Sequence, residues 1–208
     1  MTSSPFTWPE HILTLSTAPS ALLTTAEAKA HLRVDHNDDD TYIDGLVSAA
    51  AAVLDGPNGM VGKALATQQW TLTRAPLYGA EILWLPVVPF GSVVSIAYYD
   101  ADNVQQTLAT DEAIAAVFST AGSEDWGQVS PVTAWPAMYA RADALTIVFS
   151  AGYGNPADVP ANLLHAAKML IGHWYENRET VVVGTIASEL PMAVRALVDI
   201  HRIGWAGA

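Results

Sequence analysis

The spacing of apolar positions changes twice along the chain, and the changes divide it. Asp158 to Arg178 reads DVPANLLHAAKMLIGHWYENR, in which Leu163, Ala167, Leu170, Ile171 and Trp174 recur at three- and four-residue steps. That period lays an apolar stripe along one side of a helix. Asp158 is a candidate N-cap, and Pro160 falls near the first turn, where its missing N–H costs little. His173, Trp174, Glu176, Asn177 and Arg178 crowd the far end as a structural cluster, and Arg178 there suits the helix dipole. So much apolar surface needs other helices to cover it. Thr24 to Val34 reads as a short helix opened by the capping box Thr24-Thr25-Ala26-Glu27. A second helix runs from about Asp38 to Leu54, buried through Ile43, Leu46, Val47, Ala50, Val53 and Leu54, with Asp38, Asp39 and Asp40 in its first turn. Gly56-Pro57-Asn58-Gly59 ends it. The last helix spans Pro191 to Ile203.

Between the helix pairs the period shortens. Gln69 to Thr73 alternates like a half-buried strand. Ile82 to Leu85 is a short apolar run, and Val93–Tyr99 and Val104–Leu108 flank a hairpin turn at Asp100 to Asn103. Ala113 to Ser119 fits either helix or strand. Trp126 to Pro136, broken by Pro and Trp, reads as loop, Leu145 to Ser150 as strand, and Thr180 to Ser188 as loop. The predicted fold is α+β. Residues 1–22 form an extended arm, 23–64 and 155–208 a helical core of two N-terminal and two C-terminal helices, and 65–154 an inserted antiparallel β region.

Composition narrows the chemistry. Of 208 residues 51% are hydrophobic and 14% charged, a folded chain with a weakly charged surface. Net charge is −12. Through Ser150 there are 16 acids and 5 bases; the remainder holds 5 and 4, so the acidity lies outside the C-terminal helices. Such a protein repels phosphates and does not grip nucleic acid, although DNA could slide past an acidic wall. There is no cysteine, hence no disulfide and no thiolate zinc site. The first residues lack the basic and apolar regions of a signal peptide, and no apolar run is long enough to span a bilayer.

Candidate sites fail on spacing. Gly56 to Lys63 mimics a phosphate loop, but the glycine before Lys63 is out of register, Ala64 replaces the Ser or Thr, and a helix precedes it. Asp35, Asn37 and Asp39 match the first ligands of a calcium loop, but Asp40 stands where Gly is needed and Leu46 where Glu is needed. His173 and Glu176 sit one helical turn apart without a further ligand. No nucleophile elbow occurs. The residues give no catalytic, cofactor-binding or metal site, and a non-enzyme is expected. A small ligand-binding or enzymatic domain using the β region is the alternative.

Three stretches together are similar to the head–tail connector, or adaptor, family of tailed bacteriophages, also found in prophages and gene transfer agents. They are LTTAEAKAHLRVDHNDDDTYIDGLVSAAAAVLD from Leu23 to Asp55; ALATQQWTLT with LPVVPFGSVVSIAYYD; and FSAGYGNPADVPANLLHAAKMLIGHWYENRE followed by ELPMAVRAL. The resemblance implies a structural virion protein at the portal vertex, made in the bacterial cytoplasm. It implies a homo-oligomeric ring, expected to be a dodecamer, beneath the portal protein. The ring extends the DNA channel and joins a tail-side stopper or tail terminator, with no cofactor, no membrane and no specific DNA binding. On that reading Asp38, Asp39, Asp40 and Asp44 are candidate channel-facing acids. Arg195, Arg202, Ile203 and Trp205, in the near-neutral C-terminal segment, are candidates for portal docking.

Overall fold

A computed structural model describes residues 11–109, 125–178 and 192–202, and the backbone alone of 113–118. The chain forms two units, residues 1–19 with 68–151 and residues 20–67 with 152–208. Helices and antiparallel strands segregate between them, so the fold is α+β, as the two periods predict.

The first unit is built from β1 (His11–Thr17), β2 (Gln68–Arg74), β3 (Leu83–Leu85), β4 (Phe90–Tyr99), β5 (Gln105–Leu108), β6 (Ala113–Phe118), β7 (Trp126–Pro131) and β8 (Leu145–Ala151). One sheet has the order β1-β2-β8-β4-β5, the other β3-β7-β6. In the central strand β8, Leu145, Ile147, Phe149 and Ala151 are buried, and the residues between them are half-buried. That alternation is the strand period expressed in packing. Leu72, Leu85 and Val129 complete the interior. The β4–β5 hairpin forms where Asp100 to Asn103 predicts it. Asn103 takes a left-handed φ of 61°, and Asp100 accepts from the N–H groups of Asp102 and Val104 at 3.0 and 2.9 Å. Of the ambiguous stretch 113–119, residues 113–118 are strand β6.

Trp126 to Pro136, read as loop, is corrected: its first half is β7. Gly127, Val129 and Pro131 are buried while Trp126, Gln128 and Ser130 are half-exposed, a clean period of two. Gly127 is there because of Phe90: a Cβ at 127 would lie 2.4 Å from the Phe90 ring.

The second unit holds α1 (Thr25–Leu32), α2 (Asp40–Leu54), α3 (Ala161–Glu176) and α4 (Met192–Asp199). The capping box is present: the Thr24 N–H donates to Glu27 Oε2 at 2.8 Å, and the Glu27 N–H to Thr24 Oγ1 at 3.2 Å. α1 stops short of Val34 because Arg33 turns left-handed. α2 begins later than the acid run suggests; Asp39 is the N-cap and Asp40 alone lies in the first turn. Asp158 is not the cap of α3. It closes a short 3-10 turn over Pro156–Asp158, accepting from the Asn155 N–H at 2.8 Å, and Pro160 stands at the N-cap. Ile43, Val47, Ala50 and Leu54 of α2 meet Leu163, Ala167, Leu170 and Ile171 of α3, with Val194 and Val198 of α4 in the same core. Helices from both ends of the chain therefore share one interior.

The turn after α2 is structural. Gly56 has φ +84°, and a Cβ at Gly59 would lie 2.3 Å from the Asp55 carbonyl oxygen. The Asp55 carboxylate accepts from the Leu65 N–H at 2.6 Å. Lys63 is 1% exposed, so its ammonium is not presented to a phosphate.

Candidate functional site

Two groups singled out in the sequence, the acids at the start of α2 and the polar end of α3, meet in the second unit. Tyr175 donates its hydroxyl proton to Asp39 Oδ2 at 2.6 Å, and Arg178 Nη2 donates to the same oxygen at 3.0 Å. The Arg178 guanidinium also lies over the rings of Tyr42 and Tyr175, 4.5 and 4.8 Å from their centroids, which adds a cation–π attraction. The Tyr42 hydroxyl donates to the Trp174 carbonyl at 3.4 Å. The hydrogen bonds from Tyr175 and Arg178 hold the Asp39 carboxyl below the usual carboxylate range, and the same bond pushes the Tyr175 phenol up.

The other acids have local partners. Lys29 Nζ lies 2.6 Å from Asp40 Oδ1 and 2.7 Å from Asn37 Oδ1. The Thr25 hydroxyl donates to Asp44. Asp38 is 93% exposed, with His36 Nδ1 3.7 Å away. Asn177 closes α3, donating from its backbone N–H and from Nδ2 to the His173 carbonyl at 3.1 and 2.8 Å. Trp174 packs against the helical core, and Glu176 is exposed. Tyr42, Tyr175 and Lys29 belong to this cluster and were not singled out from the sequence. Their only signal was position, beside Asp40 and Trp174 and one turn after the α1 cap.

α4 presents the remaining candidates. Val194 and Val198 face inward; Met192 and Ile200 are 89% and 72% exposed. Arg195 Nε lies 3.8 Å from Asp199 Oδ2, both largely in solvent, and Arg202 is exposed. Asn162 on α3 holds the far end of α4, donating to the Leu197 carbonyl at 3.3 Å and pairing with His201 Nε2 at 2.9 Å. Ile203 and Trp205 lie outside the described residues, as does the loop read over Thr180 to Ser188.

Among the described residues no three His, Asp or Glu side chains converge as a metal site requires. No described helix is long and apolar enough to cross a membrane. What the second unit offers is a helical body in which the start of α2 and the end of α3 are tied by charge-assisted bonds, and an amphipathic last helix with Met192 and Arg195 exposed.

Neither protein-family profiles nor curated proteins match this sequence. Solved structures do. A chain of the neck of an empty gene transfer agent particle, computed with C6 symmetry, is 24% identical with a TM-score of 0.70; the match covers 92% of this chain and 95% of that one. A chain of the native gene transfer agent virion is 22% identical at TM-score 0.60, covering 92% and 95%. One from the native neck computed with C12 symmetry is 22% identical at 0.61, covering 92% and 94%. At these identities the likeness establishes a common fold along nearly the whole chain.

Proposed function

We propose that this chain is a subunit of a head–tail connector: a passive collar segment of a virion or gene transfer agent particle that joins the portal protein to a tail-side stopper or tail terminator. The observation that carries the reading is the shared fold, over 92% of the chain, with a protein of a particle neck. The six- and twelvefold symmetries of those necks support a homo-oligomeric ring, a dodecamer in the expected form. The function is geometric, with no bond made or broken and no cofactor.

Within that reading, the outer face of α4, carrying Arg195 and Arg202 and continuing to Ile203 and Trp205, docks on the portal. The acid cluster contributes to a channel surface that DNA passes without sticking. Arg178 and Lys29 offset Asp39 and Asp40 within the subunit, so Asp38 and Asp44 carry the larger share of the field DNA would meet. The test is to purify particles from cells making a tagged chain and image their necks. A ring of this chain at the portal vertex is the expected result; particles complete without it would refute the proposal. A chain ending at Asp199 is expected to be absent from particles, and its normal incorporation would remove the C-terminal segment from the portal contact.

A further inference from the structure

The five-stranded sheet has β1 at one edge and β5 at the other. Among the described residues each therefore has one side without a strand partner. Edge strands normally carry some guard against pairing with a second chain, such as a lysine, a proline, an inward charge or very short length. β1 carries none of these: HILTLST is seven residues long with no Lys, Asp, Glu or Pro; its pairing with β2 is regular from His11 to Leu15 and shifts register only between Leu15 and Thr17. Ile12 and Leu15 are 67% and 46% exposed, and residues three apart in a strand point to opposite faces. Among the described residues, apolar side chains are therefore exposed on both faces of β1, through Ile12 on one and Leu15 on the other. β5, QQTL, is also uncharged. Beside it, Asp100 is occupied by the N–H groups of the hairpin and by Gln106 Nε2 at 2.8 Å.

The second sheet is guarded differently. β3 has three residues and runs into Pro86. β6 is preceded in the chain by Asp111 and Glu112 and followed by Glu124 and Asp125. In a chain of net charge −12, copies repel one another over most of their surface. Within the strands themselves neither β1 nor β5 carries a Lys, Arg, Asp or Glu, so pairing them sets no like charges face to face; the nearest acids are Glu10 before β1 and Asp100 and Asp102 before β5.

We infer that β1 of one copy pairs with β5 of the next, so that the sheet continues from subunit to subunit. The inference rests on the ring reading above. Because the two edges lie on opposite sides of one sheet, the contact is head-to-tail, the kind that closes into a ring when the rotation allows. Pairing of β1 with β1 would be two-fold and would stop at a dimer.

The chain has no cysteine, so introduced thiols are the only ones it carries, and multimers of this chain are read through its tag. Thr14 and Gln106 are exposed on the two edges. The full chain is made as T14C, Q106C and the double variant, assembled into particles, treated with a short bis-maleimide and run on a denaturing gel, while the same particles are imaged. The double variant is expected to give a ladder of multimers, and each single variant monomers alone. A visible ring without the ladder overturns the edge pairing and leaves the ring reading standing; it means that something else, the chain's own first ten residues included, covers β1. Dimers from T14C alone also overturn it. Absence of any ring overturns both. As a second readout, Ile12→Lys combined with Gln106→Lys changes only exposed positions, so the subunit folds while assembled material is expected to fall at least tenfold. Undiminished assembly would sink the pairing.

Discussion

Asp39 precedes α2 by one residue, yet its carboxylate is shared by Tyr175 and Arg178 near the far end of the chain. Those bonds depress its pKa, so the unfolded chain binds the proton more tightly than the folded one. The stabilisation is fully present above the ordinary carboxylate range, about pH 4, and is lost as pH falls through the depressed value. Urea midpoints between about pH 3 and 7 are therefore expected to drop less on acidification in Asp39→Asn than in the native chain. An unchanged acid limb would show that the contact contributes nothing to folding. Gly127 is a second local lesson. Its missing Cβ is the space the Phe90 ring occupies, so Gly127→Ala is expected to cost about 1–3 kcal/mol, as overpacking does. Adding Phe90→Leu should return part of that, measured as the shift in urea midpoint. The two halves of the α1 cap were legible in sequence because Thr24 and Glu27 are three residues apart. The pairing of Asp39 with Arg178 was not, since 139 positions separate them and no local rule links them.

The helices owe their existence to different sources. α1 is short and mostly exposed on its outer side, so its cap matters. Thr24→Ala is expected to cost about 1 kcal/mol, and Thr24→Asp to recover most of it, by thermal midpoint. α3 is held by burial instead, and Leu170, fully enclosed by the helical core, is expected to cost about 2–5 kcal/mol when cut to Ala. α2 and α3 were readable because a 3.6-residue period repeated over many positions is hard to mistake. β7 was missed because six residues containing Trp126, Gly127 and Pro131 offer little period and much punctuation. Its strand character comes from pairing with β3 and β6, which the sequence does not display. The start of α3 was misplaced for a related reason: Asp158 has the chemistry of a cap and uses it on the turn before the helix.

For the whole molecule, charge and assembly are coupled. Copies carrying −12 each repel, and salt shortens the reach of that repulsion to about 8 Å at 0.15 M ionic strength. If the subunits associate through uncharged strand edges, self-association by light scattering is expected to rise with salt; a fall would point to ion pairs between copies. The α+β fold class could be read from the two periods of the sequence. The open edges of the β1–β5 sheet could not, since burial and strand order appear only in three dimensions. One further consequence follows from the pairing of Gln68 with Ala151, the first residue of β2 and the last of β8. The polypeptide departs for the sheets and returns at adjacent positions, so removing the excursion leaves two ends that a short link can join. A chain begun at Ser20, with Thr67 spliced to Gly152 through a few glycines, should still give the circular dichroism of a folded four-helix body, and the vacated splice would accept a foreign cartridge of unrelated sequence. Failure of that miniature to fold would mean that the helices borrow their order from the strands.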